Sequence, residues 1–208
     1  MKDNRRIFMT QNQKTLKKTL TLAIYIFIIL LYLFSSPPFI CIGVLVCALM
    51  HETCHILCAR ALGRRVRILS FSPIGIYPDL DRGDEISAIL IYASGPLFNI
   101  LVCIFCLCFL HKGYSERVFE LFCINAALAA YNLTPVPFSD GSGIMRIALT
   151  FFVGEQVGML LCRMLELIFS FVFFVVFSWR FFVYGSGFFS FFCSFVFVID
   201  CISHIKRE

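Results

Sequence analysis

Residues 51 to 55 read His51-Glu52-Thr53-Cys54-His55. On an α-helix, positions i and i+4 share a face one turn apart, so His51 and His55 can offer imidazole nitrogens to one metal ion. Glu52 then stands beside them as a base. Two ligands and a base of the kind zinc-dependent hydrolysis uses are then in hand. The competing reading is an accidental grouping on a buried helix. Cys54 and Cys58 fall on or near the same face, and a thiolate ligand from one of them is a further alternative.

Composition sets the elements that must carry this cluster. Hydrophobic residues make up 60% of the 208-residue chain and charged residues only 15%, with a mean hydropathy of +0.88. Soluble domains carry about 25% charged residues, so the expected class is an all-α polytopic membrane protein with the lipid bilayer as its solvent. Charged and metal-binding groups are costly in lipid, and their presence in an apolar segment points to function. The 11 cysteines lie almost wholly in apolar segments without paired spacing, which reads as packing and not as a disulfide framework. The 26 phenylalanines read as lipid-facing and inter-helix packing.

Two regions are expected: a basic cytoplasmic leader over 1–18 and an integral membrane domain over 19–205. The leader holds Lys2, Arg5, Arg6, Lys14, Lys17 and Lys18 against Asp3 alone. It reads as a topology signal, and no nucleic-acid partner is expected. About six spans follow. Thr19 to Ser35 resembles a signal peptide but is followed by no small-residue cleavage site, so it reads as an uncleaved first span. Phe39 to Leu62 is the second, and at 1.5 Å per residue it places His51 about 18 Å from one end and about 16 Å from the other. Val66 to Ile76, rich in β-branched and aromatic residues, suggests a short β-hairpin.

Ile86 to Leu110 forms a third span in which small residues permit close helix approach and Pro96 can introduce a kink. Asn99 in this span either bonds a neighbouring helix or steadies the histidine-bearing one. Glu116 to Tyr131 is a fourth, short helix. It gives way to Asn132-Leu133-Thr134-Pro135-Val136-Pro137-Phe138-Ser139-Asp140-Gly141, where two prolines interrupt the backbone. Irregular backbone at membrane depth is tolerated only where it is buried in protein or lines a wet cavity, which makes Asp140 a candidate ligand. Glu155 to Ser178 and Phe181 to Ile202 complete the set. Arg163 and Glu166, three apart, either pair or line a water path. With six crossings, the leader, the Arg60 to Arg67 cluster and Lys206-Arg207 share one side, so both termini should face the cytoplasm.

Taken together, the motifs resemble the site-2 proteases, a family of intramembrane zinc metalloproteases. The family pattern sets His-Glu-x-x-His on one span and Asn-x-x-Pro-x-x-x-x-Asp-Gly two spans later, matched here by Asn132, Pro135, Asp140 and Gly141. Gly95-Pro96 and Asn99 also resemble a family feature, and the likeness covers about Phe39 to Met145. It implies Zn2+ held by His51, His55 and Asp140, with Glu52 as the catalytic base. It also implies Asn132 as a side-chain donor to the developing oxyanion, although a helix-end cap or an inter-helix bond is an equal reading of that residue.

The small size resembles the bacterial sporulation-type branch that processes a membrane-associated pro-sigma factor, which implies a bacterial cytoplasmic membrane and a possible regulatory membrane protein as partner. Some members of that branch carry a C-terminal nucleotide-sensing domain, and control of that kind is not expected from a sequence ending at Glu208.

A transmembrane or membrane-associated protein substrate must unwind locally before its peptide bond can be attacked, and the Val66 to Ile76 hairpin is the expected edge for capturing it in extended form. Two other functions compete. One is a membrane zincin acting on non-transmembrane substrates with Glu155 or Glu166 as third ligand. The other is a non-catalytic membrane scaffold, against which stands the presence of a base that a scaffold does not need.

Overall fold

The computed structural model describes residues 37–64, 85–185 and 187–205. Within them the chain is helical and holds no strand: α1 Pro38–Ala61, α2 Glu85–Lys112, α3 Glu116–Leu133, α4 Asp140–Val153, α5 Glu155–Tyr184 and α6 Phe188–Ile205. The basic leader, the first expected span at Thr19 to Ser35 and the expected Val66 to Ile76 hairpin lie outside the described residues. The chain divides into two compact units, Met1–Cys41 and Ile42–Glu208. Of the first, only 37–41 are described, the opening of α1.

Helices are the response of an apolar chain to a solvent that cannot hydrogen-bond, because each helix satisfies its own backbone. α1, α2 and α5 are long and apolar enough to cross a membrane. α6 supplies a shorter apolar stretch, Ser190–Ile199, and the 18-residue α3 carries Glu116, Arg117 and Glu120 near its start. Large apolar side chains cover the outside, as at Ile86, Leu49 and Phe152. Exposure of that kind is unfavourable in water and neutral against acyl chains.

Local sequence explains the helix ends. Pro38 opens α1, where a missing N–H costs nothing, and Gly63 at φ 69° closes it in the left-handed conformation glycine takes without strain. Pro96 lies inside α2 without ending it, although its ring removes one backbone donor. Thr134, the residue before Pro135, is extended at φ −78° and ψ 136°, as the proline ring demands of its predecessor.

α4 begins at Asp140 directly after the proline-interrupted segment and adds a 14-residue helix where the apolar pattern defined no separate element. The break expected between Ser178 and Phe181 is corrected. Trp179 and Arg180 lie within α5, which continues to Tyr184 and ends at Gly185 with φ 61°. The physical reason is that neither residue obstructs a helix, whereas left-handed Gly185 does. Phenylalanines zip the resulting α5–α6 hairpin, with Phe181 stacked on Phe191 at 5.3 Å between ring centroids.

Candidate metal centre

Three side chains, two from α1 and one from the start of α4, meet in the interior. His51 and His55 are 4% and 7% exposed on α1, and their rings stand nearly perpendicular at 84°. Asp140 opens α4. Its Oδ2 lies 3.0 Å from His51 Nε2 and 3.3 Å from His55 Nε2, and the two Nε2 atoms are 3.2 Å apart. Among the described residues this is the one group of three His, Cys, Asp or Glu ligand atoms close enough to hold a metal ion, all within 4.8 Å of one another.

The delivery of Asp140 is built from the interrupted segment. Thr134 N–H returns to the carbonyls of Ala130 and Tyr131. Val136 N–H donates to Thr134 O and Ser139 N–H to Val136 O, so the irregular backbone satisfies part of its own hydrogen bonding. Ser139 Oγ then accepts from Ser142 N–H at 3.1 Å, capping α4, which settles the first turn that carries Asp140. Phe138 adopts φ 69°, a left-handed value that costs a bulky residue of order 1–3 kcal/mol. Gly141 completes the turn because a β-carbon there would fall 2.4 Å from Leu133 O.

The outer nitrogens of the two imidazoles are also engaged. His55 Nδ1–H donates to Ile91 O at 2.7 Å, with Ser94 Oγ also within 3.3 Å. A carbonyl only accepts, so the proton must sit on Nδ1. His51 Nδ1 lies 2.5 Å from Asn99 Oδ1. Asn99 Nδ2 donates in turn to Asn125 Oδ1 at 2.8 Å. With Nδ1 carrying the proton in both rings, the two Nε2 atoms present lone pairs to each other and to a carboxylate oxygen. Three acceptors at 3.0–3.3 Å with no hydrogen between them require a positive charge at their centre, either a metal ion or an added proton.

The other expected residues separate clearly. Glu52 is half-buried and lies close enough to His51, His55 and Asp140 to interact with the charge of each. Asn99 is fully buried and bonds both His51 and Asn125, so its two readings, neighbour bonding and steadying α1, hold together. Asn132 Nδ2 donates to Leu128 O within α3 at 3.1 Å, the bond of a helix-end amide. Cys54, Cys58, Glu155 and Glu166 are not part of the ligand cluster. Cys58 Sγ faces Leu90 O at 3.6 Å, and Glu166 accepts from Ser142 Oγ and lies 3.8 Å from Arg146.

One residue of this network, Asn125, carried no signal of spacing in the sequence. Its physical signal was the cost of a lone amide in an apolar helix, which has to find partners. Compared with known protein families and with curated proteins, the chain matches none.

Proposed function

We propose that this chain is an intramembrane zinc metalloendopeptidase of the site-2 protease kind, which hydrolyses a peptide bond in or near a membrane-spanning segment of a protein substrate. The observation that carries the reading is the convergence of two Nε2 lone pairs and one carboxylate oxygen at 3.0–3.3 Å, with Glu52 adjacent. A tetrahedral ion with ligands at about 2.0–2.1 Å has ligand-to-ligand edges of about 3.3 Å, so the donor set fits zinc in both chemistry and size. His51, His55 and Asp140 would hold it. When bound, zinc supplies Lewis acidity, enough to make water reactive near neutral pH.

The residues of the chain account for the rest. Glu52 accepts the proton of the attacking water and delivers it to the leaving amine, so the two halves of the reaction share one carboxylate. Ile91 O and Asn99 Oδ1 hold the imidazoles with Nε2 bare. The apolar walls of α1 and α2 limit bulk water, which strengthens every charge interaction inside. Asn132 is a side-chain donor to the oxyanion in this reading once substrate draws its amide from Leu128 O.

The wider proposal is six crossings with both termini in the cytoplasm of a bacterial cell. It includes a substrate captured in extended form along the 66–76 segment, regulation by a membrane partner, and a place in sporulation-type processing of a sigma factor.

The test joins metal analysis to proteolysis. Detergent-purified protein should carry one zinc per chain and cleave a reconstituted membrane-spanning reporter. Asp140→Asn should lose both. A wild-type protein without bound metal, or cleavage that survives Asp140→Asn, would end the proposal.

A further inference from the structure

The amide chain behind His51 has a fixed direction, and the direction is set two residues away from the imidazole. Asn125 on α3 is fully buried, as is Asn99. Its Nδ2 donates to Leu121 O at 2.9 Å and to Cys47 Sγ at 3.3 Å. Leu121 O is a carbonyl and can only accept, so the nitrogen of the Asn125 amide must face it. That leaves Asn125 Oδ1 toward Asn99, where it accepts from Nδ2 at 2.8 Å. Asn99 must therefore turn Oδ1 toward His51 Nδ1, 2.5 Å away. An oxygen there is compatible only with a proton on Nδ1, so in the neutral ring Nε2 is left bare.

Turning either amide over sets oxygen against oxygen or nitrogen against nitrogen along the chain. Both residues are fully buried, where a mismatched polar pair is costly.

We infer that Asn125 is a positioning residue that fixes the imidazole tautomer of His51 through Asn99, keeping Nε2 free for a metal ion. The inference deepens the zinc protease reading and rests on it for the identity of the ion. It does not rest on it for the tautomer. The hydrogen bonds of Asn125 go to Asn99, Leu121 and Cys47 and not to the three ligands. Its effect is orientation alone, the kind of outer contact whose loss costs about 10–100-fold in metal affinity.

The substitution that isolates the effect is Asn125→Leu, matched in side-chain heavy-atom count and branching and unable to hydrogen-bond. It frees the Asn99 amide to turn its nitrogen toward His51 and so favour a proton on Nε2. Asn99→Asp, added to Asn125→Leu, offers oxygen to His51 in either orientation and should restore what the single change removes. A residue needed only for packing gains nothing from that second change.

The experiment uses the full chain in detergent micelles with 15N-labelled histidine. Two-bond proton–nitrogen correlations on the metal-free protein report which nitrogen carries hydrogen, and His51 is assigned by its loss in His51→Ala. Zinc affinity is measured separately by competition with a chromogenic chelator. Wild-type His51 should be protonated at Nδ1. Asn125→Leu should shift it toward Nε2–H and weaken zinc by about 10-fold or more, and the double variant should recover both. A wild-type His51 that carries hydrogen at Nε2 and none at Nδ1 overturns the inference, and needs no variant to fold. So does Asn125→Leu with tautomer and affinity unchanged, an outcome that leaves the protease reading intact. If the tautomer follows Asn125 and Asn99 as stated but no zinc binds, the orienting chain stands and the protease reading falls.

Discussion

A β-carbon on Gly95 would lie 2.5 Å from Nε2 of His55, and it would also lie 2.6 Å from Nε2 of His51. The backbone of α2 thus forms the wall against which both imidazoles present their ligand nitrogens, and the smallest residue occupies the contact point. On the same helix Ile91 O holds His55, and Asn99 holds His51. Four and eight residues apart, these groups share one face of α2. The face is a template for α1, complete only if residue 95 adds no atom to it.

Gly95→Ala is therefore expected to displace the imidazoles without breaking the helix, since alanine is the stronger helix former. Zinc affinity should fall by more than about 100-fold, beyond the range for losing an outer contact, while helix content stays unchanged. Gly113→Ala is the control, because a β-carbon at Gly113 meets nothing within 4 Å. Chelator competition on the two variants checks both. Equal zinc affinity in wild type and Gly95→Ala would remove α2 as the wall of the site.

The same physics explains what the sequence revealed and what it withheld. His51, Glu52 and His55 were legible because one helix turn fixes their relation, and local spacing survives any tertiary arrangement. Asp140 was legible from backbone interruption at membrane depth, and its role from the likeness of Asn132 to Gly141 to a known motif. Asn125 was not legible as a participant, because its meaning depends on Asn99 in another helix and on the carbonyl of Leu121.

Helix boundaries divided in the same manner. Pro38 and the proline segment marked theirs by steric rule, whereas α5 passed through Trp179-Arg180, where nothing steric enforces an end. α4 was missed although its Ser139 cap is local, because the apolar pattern did not set it apart from the proline-interrupted segment before it.

The close passage of Gly141 yields a second expectation. With a β-carbon only 2.4 Å from Leu133 O, Gly141→Ala forces the end of α3 away from the start of α4. Overpacking of this kind costs about 1–3 kcal/mol, and the displaced element is the one bearing Asp140. Both thermal stability and zinc stoichiometry should drop, read by calorimetry and metal analysis on one preparation. Retention of full zinc would show that Asp140 tolerates a shift of its backbone and is not held by this turn.

Glu166 supplies a contrasting case. Its carboxylate accepts from Ser142 Oγ, lies 3.6 Å from Cys162 Sγ and faces Arg146 at 3.8 Å, which makes it a tether between α5 and α4. Glu166→Gln keeps an acceptor for Ser142 and removes the charge. It should lower stability by about 1–3 kcal/mol yet leave one zinc per chain. The same substitution at Glu155 should leave zinc unchanged as well. Loss of metal in either variant would make a glutamate the third ligand and replace Asp140 in that role.

Glu52→Gln separates chemistry from assembly. The side chain keeps its length and loses the capacity to take a proton, while the imidazole contacts to Ile91 O and Asn99 Oδ1 do not involve it. Cleavage of a membrane-spanning reporter should fall by about 100- to 10,000-fold, the range for removing a general base, with zinc content and substrate association preserved. Because Glu52 is half-buried beside His51, His55 and Asp140, removing its negative charge also removes an attraction for a cation. A modest loss of zinc affinity is compatible with the role, whereas a loss of stoichiometry is not. If single-turnover cleavage by zinc-loaded Glu52→Gln matches wild type, the carboxylate is not the base, and a protein whose function persists in this variant is acting as a scaffold.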